Sequence, residues 1–153
     1  MKLVKSRETR AGRGVRGSGV RVGPLELGEP EVRRLAAGMG VAIMAFGAAP
    51  LLAPRSFARL FGLTPSGPAE TSVVRSVGLR DVVMGLGLWS AAAHGSRYAP
   101  LLLGRLLTDG GDTVAVGVAA MQGARRPRFV ALGGLALGAT LADAALYWLA
   151  RQA

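Results

Sequence analysis

The chain has no cysteine among its 153 residues. Disulfide frameworks, thiolate metal sites and thiol redox chemistry, such as that of a quinone-linked thiol oxidase, are therefore excluded. His94 is the only histidine, and its position in a predicted turn favours a solvated side chain over a metal ligand. Aspartates can bind a hard cation, but arginines lie beside them in this sequence. We therefore expect neither a metal site nor a cofactor.

Acidic residues are also scarce. Nine Asp and Glu residues stand against 19 Lys and Arg residues, and the formal net charge is +10. Residues 1–34 contain nine of the basic and four of the acidic residues, so this segment contributes +5 of the total. The excess of positive charge is thus concentrated before the first apolar segment.

Residues 1–30 alternate basic residues with glycine and show no apolar period, which predicts a disordered tail. The tail includes a Gly-x-Gly-x-x-Gly pattern at Gly12, Gly14 and Gly17, but no predicted strand and helix flank it, as dinucleotide binding requires. Anionic lipid is the expected partner of this tail. Three alternatives remain open: a tail with no specific partner, binding of single-stranded nucleic acid, which we do not favour, and a start site assigned too early.

Hydrophobic residues make up 50% of the chain, and the mean hydropathy is +0.36. A helix needs about 20 apolar residues to cross a bilayer. Residues 31–153 therefore predict an all-α fold, an integral membrane four-helix bundle. Its spans are expected at 35–53, 73–93, 100–121 and 129–150. Between the first two, Phe57, Leu60 and Phe61 lie at helical spacing opposite Arg55 and Arg59, which predicts a short interfacial helix.

A soluble four-helix bundle is the competing architecture. It would need solvated faces, whereas the first and fourth spans are apolar all round. On the fourth span, Gly134, Gly138 and Ala142 form a ridge of small residues that predicts close helix packing. The charge distribution weakly favours a multi-pass protein of the cell membrane with its N-terminus inside. In that orientation five arginines lie outside: Arg55, Arg59, Arg125, Arg126 and Arg128.

Six charged residues lie inside the predicted spans: Arg80, Asp81, Arg105, Asp109, Asp112 and Asp143. Each isolated charge would cost about 3 kcal/mol on insertion scales, so these residues must pair, bind protons or face water. The helical rise places Arg80, Asp81 and Asp112 about 10 to 14 Å deep and the other three about 18 to 24 Å deep. This spacing predicts two layers of charge.

The depths predict which charges pair. Arg80 is expected to pair with Asp112, and Arg105 with Asp143 or Asp109. Asp81 is then the carboxylate without a partner, because its neighbour Arg80 points about 100° away around the helix. The pairs could serve only to fix helix register, or they could line a polar cavity that exchanges protons or binds a substrate.

The chain also resembles a known family. The first span ends in proline, Arg59 to Leu63 read Arg-Leu-Phe-Gly-Leu, and Gly78 to Asp81 read Gly-Leu-Arg-Asp, followed by Gly85 and an acidic third span. In these features it is similar to the domain of unknown function 4267 family, small bacterial membrane proteins with a DoxX-like four-helix appearance. The likeness covers about residues 35–150. It implies fold and location, and no activity.

We expect a non-enzymatic, structural or accessory membrane component that forms a homodimer or binds another membrane protein in the lipid bilayer. One alternative is a proton-coupled transporter or permeation unit that uses the Arg/Asp cluster. Another is a membrane-embedded acid/base enzyme acting on a lipophilic substrate. In that enzyme Asp109 or Asp112 would be the base, and Arg80 or Arg105 would hold an anion. A dry cluster favours the structural role, and a hollow beside it favours the alternatives.

Overall fold

A computed structural model of the protein describes residues 20–22, 25–122 and 127–152. These residues form five helices and one short hairpin. The helices are α1 (Glu29–Leu52), α2 (Pro54–Leu60), α3 (Pro68–Ala93), α4 (Ala99–Met121) and α5 (Pro127–Gln152). The four long helices cover the four predicted spans except for Ala53, the last residue of the first span, and they extend beyond five of the eight predicted ends. α2 is the short helix predicted after the first span. α1 and α5 are each long and apolar enough to cross a membrane.

Most of the predicted disordered tail, 1–30, lies outside the described residues. Within that range, strand β1 (Val20–Val22) pairs antiparallel with β2 (Leu25–Leu27), and Val20 stands opposite Leu27. The sequence alternates apolar and charged residues on both sides of Gly-Pro, a pattern typical of a hairpin. Helix α1 then begins at Glu29 with a proline in its first turn, where the missing N–H is no loss.

The long helices form two closely packed pairs, α1 with α3 and α4 with α5. In contrast, α3 and α4 approach each other at few positions. The second and third predicted spans carry most of the charged residues and could be expected to form an inner pair, but the helices that contain them, α3 and α4, are not a close pair. Glycines explain the first pair. A Cβ atom built on Gly40 would lie 2.7 Å from the Gly85 carbonyl oxygen, and one built on Gly47 would lie 2.7 Å from the Gly78 carbonyl oxygen. Only hydrogen fits there, so the two backbones lie in contact.

In the part of the chain that the structure describes, no other helix packs on the glycines of the predicted ridge on the fourth span. Among the described residues, no atom outside α5 lies within 4 Å of a Cβ built on Gly134 or Gly138. The α4–α5 pair instead includes a contact between the Thr113 and Thr140 hydroxyls, which lie 3.0 Å apart. Small residues alone did not identify the interface, because alanine and glycine are frequent on every face of these helices.

One end of the bundle is filled by apolar side chains, and we call it the packed half. It contains the start of α1 and α4 and the end of α3 and α5. Its buried core consists of Val32, Ala36, Ile43, Leu88, Ala92, Tyr98, Leu102 and Leu146. The Arg33 guanidinium closes this end: it pairs with Glu29 at 2.7 Å, donates to the Ser96 carbonyl oxygen at 3.3 Å and covers the Tyr98 ring.

The opposite end, where α2 lies, is less tightly filled, and we call it the open half. The chain enters α3 there through a local hydrogen-bonded turn. The Glu70 carboxylate accepts from the backbone N–H and from the hydroxyl of Ser66, and these bonds hold the pKa of Glu70 below its ordinary value. Glu70 precedes the apolar part of α3, so the turn fixes where that helix begins.

Candidate functional site

The six charged residues of the predicted spans come together at the boundary between the two halves. Arg80 and Asp81 come from α3, Asp143 comes from α5, and α4 supplies the remaining three at helical spacing. Arg105, Asp109 and Asp112 share one face of α4, as predicted. The carboxylates and guanidiniums form one connected network across three helices.

The outer part of the network is the Arg80–Asp112 pair, which the sequence predicts. The Arg80 Nη2 donates to Asp112 Oδ2 at 2.8 Å, and Nη1 donates to Oδ1 at 3.3 Å. This two-point geometry is the stronger form of an arginine–carboxylate contact. The Arg80 side chain remains 30% exposed and that of Asp112 46% exposed. The pair is therefore accessible from outside the network.

The inner part is centred on Arg105, whose side chain is 6% exposed. Its Nη2 donates to Asp109 on the same helix, and its Nε lies 3.6 Å from Asp143 Oδ2 on α5. Both partners proposed for Arg105 from the sequence are thus found. Arg105 also reaches α3, because its Nη1 donates to Asp81 Oδ1 at 3.3 Å. One guanidinium therefore joins three helices.

Asp81 connects the outer and inner parts, so the prediction that it lacks a partner is wrong. Its Oδ1 accepts from Arg80 Nε at 3.1 Å and from Arg80 Nη2 at 3.0 Å, besides the contact with Arg105. The 100° between successive side chains describes only the Cα–Cβ direction. The long side chain of Arg80 allows its guanidinium to reach the carboxylate of the adjacent residue. The two predicted layers of charge therefore form one network.

Asp143 is the carboxylate with the fewest partners. Its side chain is fully buried, and no donor among the described residues hydrogen-bonds to either of its oxygens. Arg105 Nε, the nearest cationic atom, likewise makes no hydrogen bond there. A buried carboxylate with an ionic contact but no hydrogen bond is poorly compensated. Asp143, rather than Asp81 as the sequence predicted, is therefore the least compensated carboxylate of the network.

A cavity of about 630 Å³ lies beside the network in the open half. All five helices or their connections contribute to its wall, which is mostly apolar, while Arg80, Asp81, Arg105, Asp109 and Asp112 form its charged end. Its apolar lining includes Met39, Ile43, Phe46, Phe57, Phe61, Leu63, Val73, Val77, Val116, Leu132 and Leu135. The cluster thus lines a hollow.

An aromatic row forms one wall of the cavity. The Phe46 and Phe57 rings meet edge to face with centroids 5.4 Å apart, and Phe57 meets Phe61 at 5.2 Å. The sequence placed Phe57 and Phe61 on an interfacial helix but did not connect them with the charges. Their contact with Phe46 folds α2 back against α1, which turns the apolar face of α2 toward the cavity.

The arrangement suits an amphipathic molecule. Ligand sites are typically apolar cavities of about 300–1,000 Å³ with a few polar groups that fix orientation. Here the apolar volume and the polar end occur together. Among the described residues, no group of three or more His, Asp or Glu side chains is placed to hold a metal ion. His94 lies at the far end of the bundle, where Nδ1 is 2.8 Å from the Ser90 carbonyl oxygen.

Comparison with known proteins gives a family. The sequence profile described as "Domain of unknown function (DUF4267)" matches residues 40–149. The chain belongs to the DUF4267 family. The resemblance seen in the sequence is thus confirmed, and the DUF4267 region includes all six charged residues and all four contact glycines of α1 and α3. No curated protein and no solved structure matches the chain.

Proposed function

We propose that this DUF4267 protein is a four-helix integral membrane protein that binds a lipophilic molecule in its cavity. The observation that carries the proposal is the joint presence of an apolar hollow and an accessible charged pair at its end. A network that only fixes helix register needs no hollow beside it. In this protein Arg80 and Asp112 remain partly exposed at the cavity.

The outer surface supports four spans. α1 and α5 have the length and composition of membrane helices. α3 and α4 contain the charged residues, but Asp81, Arg105 and Asp109 are buried within the bundle. The outward faces of these two helices carry large exposed apolar side chains: Leu79, Val83, Leu86, Leu103, Leu107, Val114 and Val118. A helix with its charges inside and leucine and valine outside is suited to lipid.

Single-cysteine labelling tests the four-span topology, and the natural absence of cysteine provides a clean background. Thr64→Cys lies in the α2–α3 connection, and Ser96→Cys lies in the α3–α4 connection. With four spans and the N-terminus inside, a membrane-impermeant maleimide labels Thr64→Cys in intact cells and labels Ser96→Cys only after permeabilisation. If only α1 and α5 cross the membrane, both positions lie on one side and react alike.

The cavity is tested with a neutral lipophile, adamantyl diazirine, photolysed in membranes that contain the full chain. We expect saturable labelling of lining residues on α1 and α5. Ala136→Phe fills the cavity and should abolish that labelling, whereas Ala142→Phe, an exposed position on the same helix, should not change it. Labelling restricted to lipid-facing positions, or insensitive to Ala136→Phe, would contradict ligand binding in the cavity.

Proton-coupled transport is the second candidate, and the charge balance favours it. Four carboxylates share two guanidiniums, so the network has room for protons, and Asp143 lies deeper in the bundle than the accessible Asp112. The enzymatic alternative has less support, because aspartates already engage both guanidiniums and take four of the five N–H groups of Arg80. Transport would show as ligand accumulation in vesicles driven by a pH gradient.

A further inference from the structure

The charge at the inner end of the cavity is unbalanced. Asp81, Asp109, Asp112 and Asp143 contribute four carboxylates, and Arg80 and Arg105 contribute two guanidiniums. Even with one carboxylate protonated, the network keeps one excess negative charge. Uncompensated charge is costly in surroundings of low dielectric constant. The network is therefore complementary to a positive charge, whether a proton or a cationic group of a ligand.

Asp112 is where such a cation can reach the network. Its side chain is the most exposed of those in the ion pairs of the cluster, at 46%, and it lines the cavity. Each carboxylate oxygen accepts one N–H from Arg80. A carboxylate offers about four acceptor positions, so Asp112 retains acceptor capacity on its exposed side.

An anionic group finds no comparable position. Arg80 uses Nε, Nη1 and Nη2 in contacts with Asp81 and Asp112. Arg105 is almost fully buried and is surrounded by three aspartates. Arg80 donates four of its five N–H groups to Asp81 and Asp112, which leaves an anion one free donor there. The charged residues that line the cavity comprise three carboxylates and two guanidiniums, so their net charge is negative.

The remaining wall suits the apolar part of a cation. The residues that α1, α2 and the connection after α2 contribute to the lining are uncharged, and they include the Phe46, Phe57 and Phe61 row. α5 lines the cavity with Leu132, Leu135, Ala136 and Ala139, and its Asp143 lies behind Arg105.

We propose that the cavity binds a lipophilic organic cation, of the ammonium or phosphonium class, with its charge at Asp112 and its apolar groups against the phenylalanine row. This proposal rests on the proposed function, since it requires that a ligand enters the cavity. It adds the sign of the ligand's charge. Because protons and the ligand neutralise the same carboxylates, binding should weaken as the pH falls.

The test compares two ions of matched shape and opposite charge, tetraphenylphosphonium and tetraphenylborate. Equilibrium dialysis with the full chain in nanodiscs of zwitterionic lipid, corrected with empty nanodiscs, gives the binding of each. We expect saturable binding of the cation that is at least about tenfold tighter than that of the anion, the size of one charged contact. Equal binding, or tighter binding of the anion, would overturn the proposal.

Three substitutions at two residues locate the charge of the bound ligand. Asp112→Asn should weaken binding of tetraphenylphosphonium about tenfold, and Asp112→Glu should restore it. Arg80→Gln releases Asp112 from its partner and should leave binding of the cation equal or tighter at pH 8. Loss of binding in folded Arg80→Gln protein would contradict the assignment, because it would make the guanidinium the contact. Glu70→Gln, a carboxylate outside the cavity, serves as the control.

The outcomes separate this proposal from the proposed function. If adamantyl diazirine labels the cavity but neither ion binds, the cavity takes neutral lipophiles and the cation proposal is wrong. If Ala136→Phe affects neither probe, ligand binding in the cavity is itself wrong. Binding of the cation that is lost in both Ala136→Phe and Asp112→Asn, and retained in Ala142→Phe, supports both.

Discussion

The packed half and the open half are built from the same four long helices, yet only one of them is filled. Glycine contacts hold α1 against α3 in both halves, through Gly40 and Gly85 in one and Gly47 and Gly78 in the other. The difference arises between the helix pairs. In the packed half Leu88, Leu102 and Leu146 fill the space between them.

In the open half, charged side chains replace these leucines. Arg105 extends from α4 to α3 and α5, and Arg80 extends from α3 to α4. Arginine bridges a wider gap than leucine fills, because its guanidinium stands at the end of a long stem. The comparison shows two ways to join helix pairs: apolar packing closes one end, and an ion network leaves a cavity at the other.

Removal of Arg105 should have the largest effect on stability, because Arg105 joins the two helix pairs. Arg105→Leu leaves Asp81, Asp109 and Asp143 without their shared cation, and loss of one partner from a buried ionic group costs about 3–5 kcal/mol. Unfolding in mixed detergent micelles, followed by circular dichroism, measures the change. Arg97→Leu, at an exposed position of the α3–α4 connection, is the control and should change little. Equal stability of the two variants would show that the network is not required for folding.

Substitutions at the contact glycines should rank next and should distinguish the halves. Gly40→Ala and Gly47→Ala each place a methyl group less than 3 Å from the backbone of α3, and overpacking of this kind costs about 1–3 kcal/mol. We expect the larger loss of stability from Gly40→Ala, because the filled core resists displacement of α3 there. Near Gly47, α3 can shift toward the cavity. Gly38→Ala on the same helix meets no atom within 4 Å and should be neutral or stabilising. A larger loss at Gly47 would mean that the open half is as rigid as the packed half.

The smallest effect is expected from coupling between Arg80 and Asp112. Both side chains are partly exposed, so the pair should contribute about 1 kcal/mol or less. A double-mutant cycle with Arg80→Ala, Asp112→Ala and the combined variant measures the coupling free energy between the two side chains. Strictly additive losses of stability would mean that the two side chains act independently. The pair would then not stabilise the charged end of the cavity.

Much of this architecture follows from the sequence, because helical geometry converts residue spacing into depth and face. The lengths of the apolar segments gave four long helices, and the depth of Arg80 and Asp112 paired them correctly. The spacing of Arg105, Asp109 and Asp112 placed them on one face. These inferences depend only on rise and rotation per residue, which hold within any helix regardless of its neighbours.

Other features depend on which helices meet. Gly40 and Gly47, like Gly78 and Gly85, are seven residues apart, a spacing that could have indicated the α1–α3 contact. The spacing of Gly134 and Gly138 indicated a helix contact equally well, yet no other described helix packs on them. Spacing shows that a helix face consists of small residues, but whether another backbone covers that face depends on how the helices assemble.

The sequence by itself therefore determined that the chain forms long apolar helices, that six charges lie within them, and that Arg80 faces Asp112. Only the tertiary structure decided that Asp81 joins both arginines, that Asp143 is the poorly partnered carboxylate, and that a cavity lies beside them. Arginine side chains are long enough to reach any of several carboxylates at similar depth. The lateral positions of the helices decide which carboxylate each arginine meets, and residue spacing along a single helix gives no information about those positions.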